Sequence, residues 1–291
     1  MKVDFVIEQA TKEESRYIFK KAREYKEENI PLIKEQEVKR VCKVIKDSEE
    51  NILAGIVVYI NYNFKSAYID LLWVKDEFRK HGYGGILLEN IEKEALDKGV
   101  NFAYLGTLGF QAKDFYLKEG YEVFSTLDEC VINNKMYWMK KKLSSNNIIL
   151  KLDNIVKDGT DEDAEYIDSK IVEFNSKQVP FTNPLSFENI SKIIKDTEGN
   201  VIAGIAACLL PWCDLSIDAI WTSENTNGEE MKIKLLESME KELKEKGGRV
   251  LMYETFDINE VNYFTKNGYE VYGTLEYYPL DYKMYYTKKI L

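Results

Sequence analysis

Histidine is almost absent from this sequence: 291 residues contain one, His81. A Ser-His-Asp or Cys-His apparatus would have to rest on that single imidazole, which sits in a basic loop among glycines, so chemistry of that kind is not expected. Cysteine is nearly as scarce. Cys42, Cys130, Cys208 and Cys213 form no C-x-x-C pair. With one histidine to join them a structural zinc site is not expected, and each is read as a buried, reduced thiol. Long apolar runs are missing too. The most apolar stretch, 201–212, is broken by Gly204 and Pro211 and falls short of the about 20 residues that cross a bilayer. The opening MKVDFVIEQATKEE carries acids where a secretory signal needs an apolar centre. There is no excess of base either. The 40 Lys and Arg face 50 Asp and Glu, a net charge of −10, against a general nucleic-acid binder. The expectation is a cytoplasmic chain without membrane, metal or nucleic-acid partners. Its 45% hydrophobic and 13% aromatic content is enough for full cores, and its length suits two domains.

What is present is a long internal repeat. NILAGIVVYI at 51–60 returns as NVIAGIAACL at 200–209, and YIDLLWV at 68–74 as SIDAIWT at 216–222. FYLKEGYEVFSTL at 115–127 returns as YFTKNGYEVYGTL at 263–275, and KMYWMKKKL at 135–143 as KMYYTKKIL at 283–291. The offset is 149 residues early and 148 from residue 69 onward. A period this long marks a duplicated domain rather than a solenoid unit. The boundary is expected in the polar run SSNN at 144–147, giving domains 1–146 and 147–291.

Each copy reads as α+β. In the first, 3–8 alternates as a strand and 12–28 has helical spacing, with Thr11 as N-cap and Pro31 beyond. Segments 40–46 and 52–62 form a hairpin through SEEN, and 66–74 is a further strand. A helix over 84–96 precedes Gly99. A strand at 102–105, a short helix at 112–119 and strands at 121–127 and 135–143 follow. The expected sheet is mixed and mostly antiparallel, with one βαβ crossover and a final hairpin, flanked by helices.

The segment with chemistry in it is VKDEFRKHGYGGILL at 74–88. A strand ends near Val74, a helix begins near Gly84, and Arg79, Lys80, His81, Gly82, Tyr83 and Gly84 lie between. Glycines permit a tight turn and close approach of a ligand, and free amides at a helix start suit a phosphate. The order is neither a Walker loop nor G-x-G-x-x-G. The strand, the RKHGYG loop and its helix resemble the acyl-CoA-binding core of the GNAT superfamily of N-acetyltransferases. FQAKDFYLKEGYEVF at 110–124 is similar to that family's later helix and strand. The resemblance covers about 2–143 and, more weakly, 149–291, which makes the chain look like a tandem member.

That resemblance implies acetyl-CoA as co-substrate. Its pantetheine would pair with the backbone of Leu72, Trp73 and Val74, and its pyrophosphate would lie on the amides of Arg79 to Gly84. Tyr116 would protonate the leaving thiolate, and Asp70, on the strand before the loop, is the candidate general base. Gly109 stands where the family often has an asparagine. The second copy departs further. Arg79, Lys80, His81, Gly82, Tyr83 and Gly84 become Asn227, Gly228, Glu229, Glu230, Met231 and Lys232, and Tyr116 becomes Phe264, while Asp70 persists as Asp218. The second copy is therefore expected to keep the fold without the transfer. The expected reaction is acetyl transfer to a primary amine of a small molecule or peptide; a non-catalytic CoA-binding regulatory module is the alternative. Tyr59, Tyr62, Tyr68, Tyr137 and Trp138 are candidates to line a pocket for a cation. The copies are expected to pack as an internal pseudo-dimer, with a homodimer also open. Residues 1–146 balance 24 bases with 24 acids, so the whole excess of acid lies in 147–291. That acid could draw a cationic amine to a shared cleft.

Overall fold

The computed structural model of the protein describes residues 6–29, 38–131, 134–144, 155–182, 187–224, 226–276 and 282–291. In the first copy the elements are β1 (Ile7–Gln9), α1 (Lys12–Asn29), β2 (Val38–Lys46), β3 (Ile52–Asn61) and β4 (Ser66–Val74). Then come α2 (Tyr83–Asp97), β5 (Phe102–Leu108), α3 (Lys113–Lys118), β6 (Glu122–Val131) and β7 (Asn134–Lys142). The second copy supplies β8 (Lys157–Asp158), α4 (Asp161–Gln178), β9 (Glu188–Lys195), β10 (Val201–Leu209) and β11 (Leu215–Thr222). It ends with α5 (Gly228–Glu245), β12 (Val250–Thr255), α6 (Ile258–Lys266), β13 (Glu270–Glu276) and β14 (Lys283–Ile290). The expected elements are all found, with shifted ends. β5 runs on to Leu108 because β7 pairs with it that far, Leu108 opposite Met136. Pro31, residues 3–5 and most of the SSNN run lie outside the described residues.

Thr11 caps α1 as expected. Its hydroxyl accepts from the Glu14 amide at 3.2 Å, and Glu14 accepts from the Thr11 amide at 2.8 Å. Thr160 and Asp163 repeat this reciprocal cap on α4 at 3.2 and 3.0 Å. Each arrangement satisfies two amides that the helix itself cannot.

Two seven-stranded sheets result, β6-β7-β5-β4-β3-β2-β8 and β1-β9-β10-β11-β12-β14-β13. Their composition shows a reciprocal exchange. β1 belongs to the first copy but pairs with β9 of the second, Ile7 opposite Ile194. β8 belongs to the second copy but pairs with β2 of the first, Lys43 opposite Asp158. The helices follow their strands. Ile18 and Ala22 of α1 are buried against Ile193, Ala206 and Ala219 of the second sheet. Ala164 and Ile167 of α4 are buried against Val44, Val57 and Trp73 of the first. Ion pairs pin both crossings: Lys195 to Glu14 at 2.8 Å and Lys46 to Asp163 at 2.9 Å. The halves also meet where Ser125 Oγ donates to the Tyr272 carbonyl at 2.7 Å and where Phe64 packs edge-on to Phe256 at 6.1 Å.

Glycine makes each crossing possible. A side chain on Gly55 would overlap Ile167, and one on Gly204 would overlap Ile18. We expect Gly55→Ala to lose about 1–3 kcal/mol by overpacking and Ile167→Ala about 2–5 kcal/mol by leaving a cavity. The double variant should recover about 0.5–3 kcal/mol of their sum in urea unfolding. Strictly additive losses would mean that residue 167 does not cover the first sheet.

Candidate active site

The cleft begins with a strand that loses one neighbour. β4 pairs in parallel with β5 at Ser66, Ala67 and Tyr68 only, while its other edge stays paired with β3 as far as Val74. The register slips between Val57 and Val58, so Asp70 has no partner on β3. A bulge of this kind bends and twists its strand, and here β4 parts from β5. Beyond it, the backbone of Leu72, Trp73 and Val74 faces β5 with no strand to receive it. Leu72 and Val74 pack towards the α2 core. The Trp73 side chain turns the other way, buried against α4 with Tyr166 edge-on at 5.8 Å, so Trp73 offers the cleft its backbone.

The loop after β4 makes one turn of 3-10 helix, Asp76–Phe78, and then reverses. Lys80 and Gly82 both take left-handed backbone, φ 66° and 87°. At Gly82 that conformation carries little strain, because glycine lacks a Cβ. Gly82 caps α2, and the first helical bond runs from the Ile86 amide to the Gly82 carbonyl at 3.0 Å. The amides of Tyr83, Gly84 and Gly85 therefore have no acceptor within the helix, at its positive end. The basic side chains have different tasks. Arg79 is engaged, donating to the Val74 carbonyl at 3.2 Å, pairing with Asp76 at 2.7 Å and lying 5.2 Å over the Phe174 ring. Lys80 is exposed and makes no ion pair among the described residues. His81 Nδ1 lies 2.9 Å from the Arg79 carbonyl, which can only accept, so that nitrogen carries a proton.

Tyr116 stands on α3, 6% exposed, with Phe115 and Tyr121 ring centroids at 5.1 and 5.7 Å. Tyr121 is held in turn by Glu92, which accepts its hydroxyl proton at 2.9 Å and pairs with Lys141 at 2.7 Å. No hydrogen bond holds the Tyr116 hydroxyl among the described residues, and it is not one of the sealed polar atoms without partners, Trp138 Nε1 and the Tyr269 hydroxyl. It lies near enough to Tyr68, on β4, to act on that side chain. Burial raises its pKa above the ordinary 10, so it remains a phenol at neutral pH.

Asp70 makes no hydrogen bond or ion pair among the described residues. The residue is exposed to solvent, yet partial desolvation, and then the carboxylate of Asp168, raise its pKa above the usual 3.8. Asp168 belongs to α4, so the second copy furnishes a wall of the first copy's cleft. Asn175 of the same helix accepts from Gln111 Nε2 at 2.8 Å, and Phe174 underlies Arg79. No sequence signal marked Asp168, Phe174 or Asn175 as neighbours of this loop. Of the aromatic candidates, Tyr68 lies at the cleft against Tyr104 at 5.1 Å. Tyr62 and Tyr137 carry Lys98 and Lys113 over their faces, Tyr59 is exposed, and Trp138 packs on Tyr286 between the halves.

The second copy repeats the scaffold without these groups. Asp218 sits at the matching bulge, and β11 pairs with β12 only at Leu215, Ser216 and Ile217. α5 opens with Glu229 and Glu230, and Glu229, Asp257 and Glu260 line a recess of about 350 Å³ beside it. Three carboxylates there oppose a phosphate. Phe264 lies stacked on Tyr253 at 4.5 Å with no proton to give.

The Acetyltransferase (GNAT) family model matches residues 6–121. Over 105 residues the chain is 32% identical to YjcF of Bacillus subtilis (strain 168), named as an uncharacterised N-acetyltransferase, covering 34% of this chain and 71% of that one. Among solved structures, an acetyltransferase from Bacillus cereus ATCC 14579 is 31% identical, with 47% of this chain and 96% of that chain covered and a TM-score of 0.43. An aminoglycoside 6'-N-acetyltransferase complexed with coenzyme A is 17% identical, covering 48% and 97%, at a TM-score of 0.34. The chain belongs to the GNAT acetyltransferase family, whose members bind acetyl-CoA. No described helix is long and apolar enough to cross a membrane, and no described cluster of three or more His, Cys, Asp or Glu is arranged to hold a metal. Cys42 and Cys208 are half-buried free thiols and Cys213 is a buried one.

The two loops predict a stoichiometry. Calorimetry with coenzyme A should show one equivalent per chain. Replacing His81 and Gly82 together by the glutamates of the second copy should weaken it at least about tenfold, since two acids then face a polyanion at the helix start. Two equivalents per chain would contradict the contrast between the loops.

Proposed function

We propose that the first-half cleft transfers the acetyl group of acetyl-CoA to a primary amine by direct attack, and that the second half keeps the fold without the transfer. The amides opening α2, with Lys80 beside them, fit the pyrophosphate. The unpaired edge of β4 at Leu72, Trp73 and Val74 fits an extended, amide-bearing pantetheine arm. Arg79 holds the loop rather than the ligand, through Val74, Asp76 and Phe174. On the acceptor side Asp70, solvent-accessible and with its pKa raised by partial desolvation and by Asp168, takes a proton from the incoming ammonium directly or through water, and the neutral amine attacks the thioester carbonyl. Backbone N–H groups of the open strand edge polarise that carbonyl. As the C–S bond breaks, the Tyr116 hydroxyl gives its proton to the departing sulfur, and the phenoxide is reprotonated, through water, by the extra proton lost from the nitrogen of the new amide.

The observation that carries this reading is the Tyr116 hydroxyl: a nearly buried side chain, packed on Phe115 and on Tyr121 of the Tyr121–Glu92–Lys141 chain, whose one polar atom has no hydrogen-bond partner among the described residues and lies near Tyr68 of β4. Buried hydroxyls mostly find a partner, and one near the open strand without one is a candidate proton donor. Tyr116→Phe should therefore lower kcat by about 10²–10⁴-fold while the Kd for acetyl-CoA stays within about twofold, since the hydroxyl meets the thiol only as it leaves. Thiol release during amine acetylation reads the first quantity and calorimetry the second. Unchanged turnover would remove Tyr116 from the chemistry.

A further inference from the structure

The end of α4 touches two separate segments of the first cleft. Ala164, Ile167, Ile171 and Phe174 recur three and four residues apart, so they lie on one face of the helix. Ala164, Ile167 and Ile171 share a cluster with Trp73, and Tyr166 meets the Trp73 ring edge-on at 5.8 Å. Phe174 lies two turns beyond Ile167, about 10 Å along the axis. Its ring sits 5.2 Å from the Arg79 guanidinium. The other partners of Arg79, the Val74 carbonyl at 3.2 Å and Asp76 at 2.7 Å, belong to its own strand and loop. They shape the loop, and the Phe174 ring ties it to another element.

The same turn of helix holds the segment that leads to Tyr116. Asn175 accepts from Gln111 Nε2 at 2.8 Å, and Gln111 Oε1 accepts from the Leu108 amide at 2.8 Å and from the Thr107 hydroxyl at 3.3 Å. Phe174 packs on Phe110 at 6.5 Å. Residues 107–111 run from the end of β5 towards α3, which carries Tyr116. The helix end is itself fixed within the second half. The Val179 amide donates to the Asn175 carbonyl at 2.9 Å, and Trp212 Nε1 donates to the Val179 carbonyl at 3.1 Å. The second cleft is built differently. There Tyr25 and Lys26 match Phe174 and Asn175, while Asn227 and Asn259 match Arg79 and Gln111. The Tyr25 hydroxyl donates to Asp257 at 3.1 Å, and Lys26 lies over the Tyr253 ring at 5.9 Å, near Asp218. The ring under an arginine thus goes with the copy that kept the loop and the tyrosine.

We propose that Phe174 and Asn175, carried across from the second half, are positioning residues for the acetyl-CoA reaction of the first. Phe174 holds the Arg79 loop in the shape that receives the pyrophosphate, and Asn175 holds the turn that sets α3 and Tyr116. They act through Arg79 and Gln111 rather than on the acetyl group. The half that lost its own phosphate loop thereby pre-forms the coenzyme site of the other. The proposal rests on the first cleft being the transferase site. Without the ring the loop samples other shapes, and affinity falls by the fraction of competent loop that is lost.

The test uses the full chain, with calorimetry for coenzyme A and thiol release for turnover. Phe174→Met removes the ring but keeps an apolar side chain. It should raise the Kd for coenzyme A about three- to thirtyfold, the worth of a cation–π contact, with kcat at saturating acetyl-CoA within about twofold. Phe174→Tyr keeps the ring and should hold the wild-type Kd within about twofold. In an Arg79→Met background, Phe174→Met should change Kd by less than about twofold, since the ring then has no cation to hold. Asn175→Ala should split the other way: kcat falls about threefold or more, as for one lost hydrogen bond, and Kd stays within about twofold. Should Phe174→Met fail to fold, Asn175→Ala carries the test. A wild type that binds no coenzyme A overturns both this proposal and the transferase reading. Binding without acetylation of any amine overturns the transferase reading alone, and the Kd comparison still decides the role of Phe174. A Kd unmoved by Phe174→Met, or raised equally by Phe174→Tyr, or a kcat unmoved by Asn175→Ala, would overturn the proposal.

Discussion

Everything in this molecule depends on how α1 and α4 cover the sheets. A β-sheet with one face on α2 or α5 needs a second layer on the other. That layer is an amphipathic helix whose isoleucine seats on a glycine of the central strand: Ile18 on Gly204, Ile167 on Gly55. Each helix comes from the other copy. Complete burial of one isoleucine is worth about 1.5–3 kcal/mol, and at each crossing it adds to a capped helix start and a lysine–carboxylate pair. The first cleft therefore has a wall that no isolated first copy could build. Trp73 and Arg79, on the strand and loop of the cleft, both rest on aromatic rings of α4.

The exchange also redistributes charge. By sequence the first copy is neutral and the second carries −10. Yet α4 has six acids and two bases, whereas α1 has six bases and five acids. Crossing them places the acidic helix over the first sheet and the basic one over the second. The first sheet thereby gains the acids of α4, of which Asp161 and Asp163 pair with Arg40 and Lys46 of β2.

The strand–loop–helix unit was legible because each part answers to local rules. Gly82 is needed where φ is positive, Thr11 where α1 starts, and the apolar face of α2 where it meets the sheet. Tyr116 was singled out only through the likeness of residues 110–124 to the family's later helix and strand. What the Arg79 guanidinium touches, Asp76, the Val74 carbonyl and the Phe174 ring, was not legible, since a cation's partners depend on what the fold brings near it. Asp70 was placed on the right strand, but its position at a bulge follows from pairing between β3 and β4, which alternation of side chains does not reveal.

The sequence by itself determined that there are two copies of one α+β fold, where their elements lie, and that the loop 79–84 and Tyr116 of the first copy are replaced in the second. All of these follow from periodicity and from residues compared at a constant offset. Only the tertiary structure decided which helix covers which sheet. The reason is physical: Ile18 and Ile167, Gly55 and Gly204, Glu14 and Asp163, and Lys46 and Lys195 are equivalent surfaces, so either helix satisfies the local pattern of either sheet. The choice between them rests on how the chain connects the copies and on the long-range contacts it closes. That choice set Asp168 beside Asp70 and Lys26 beside Asp218.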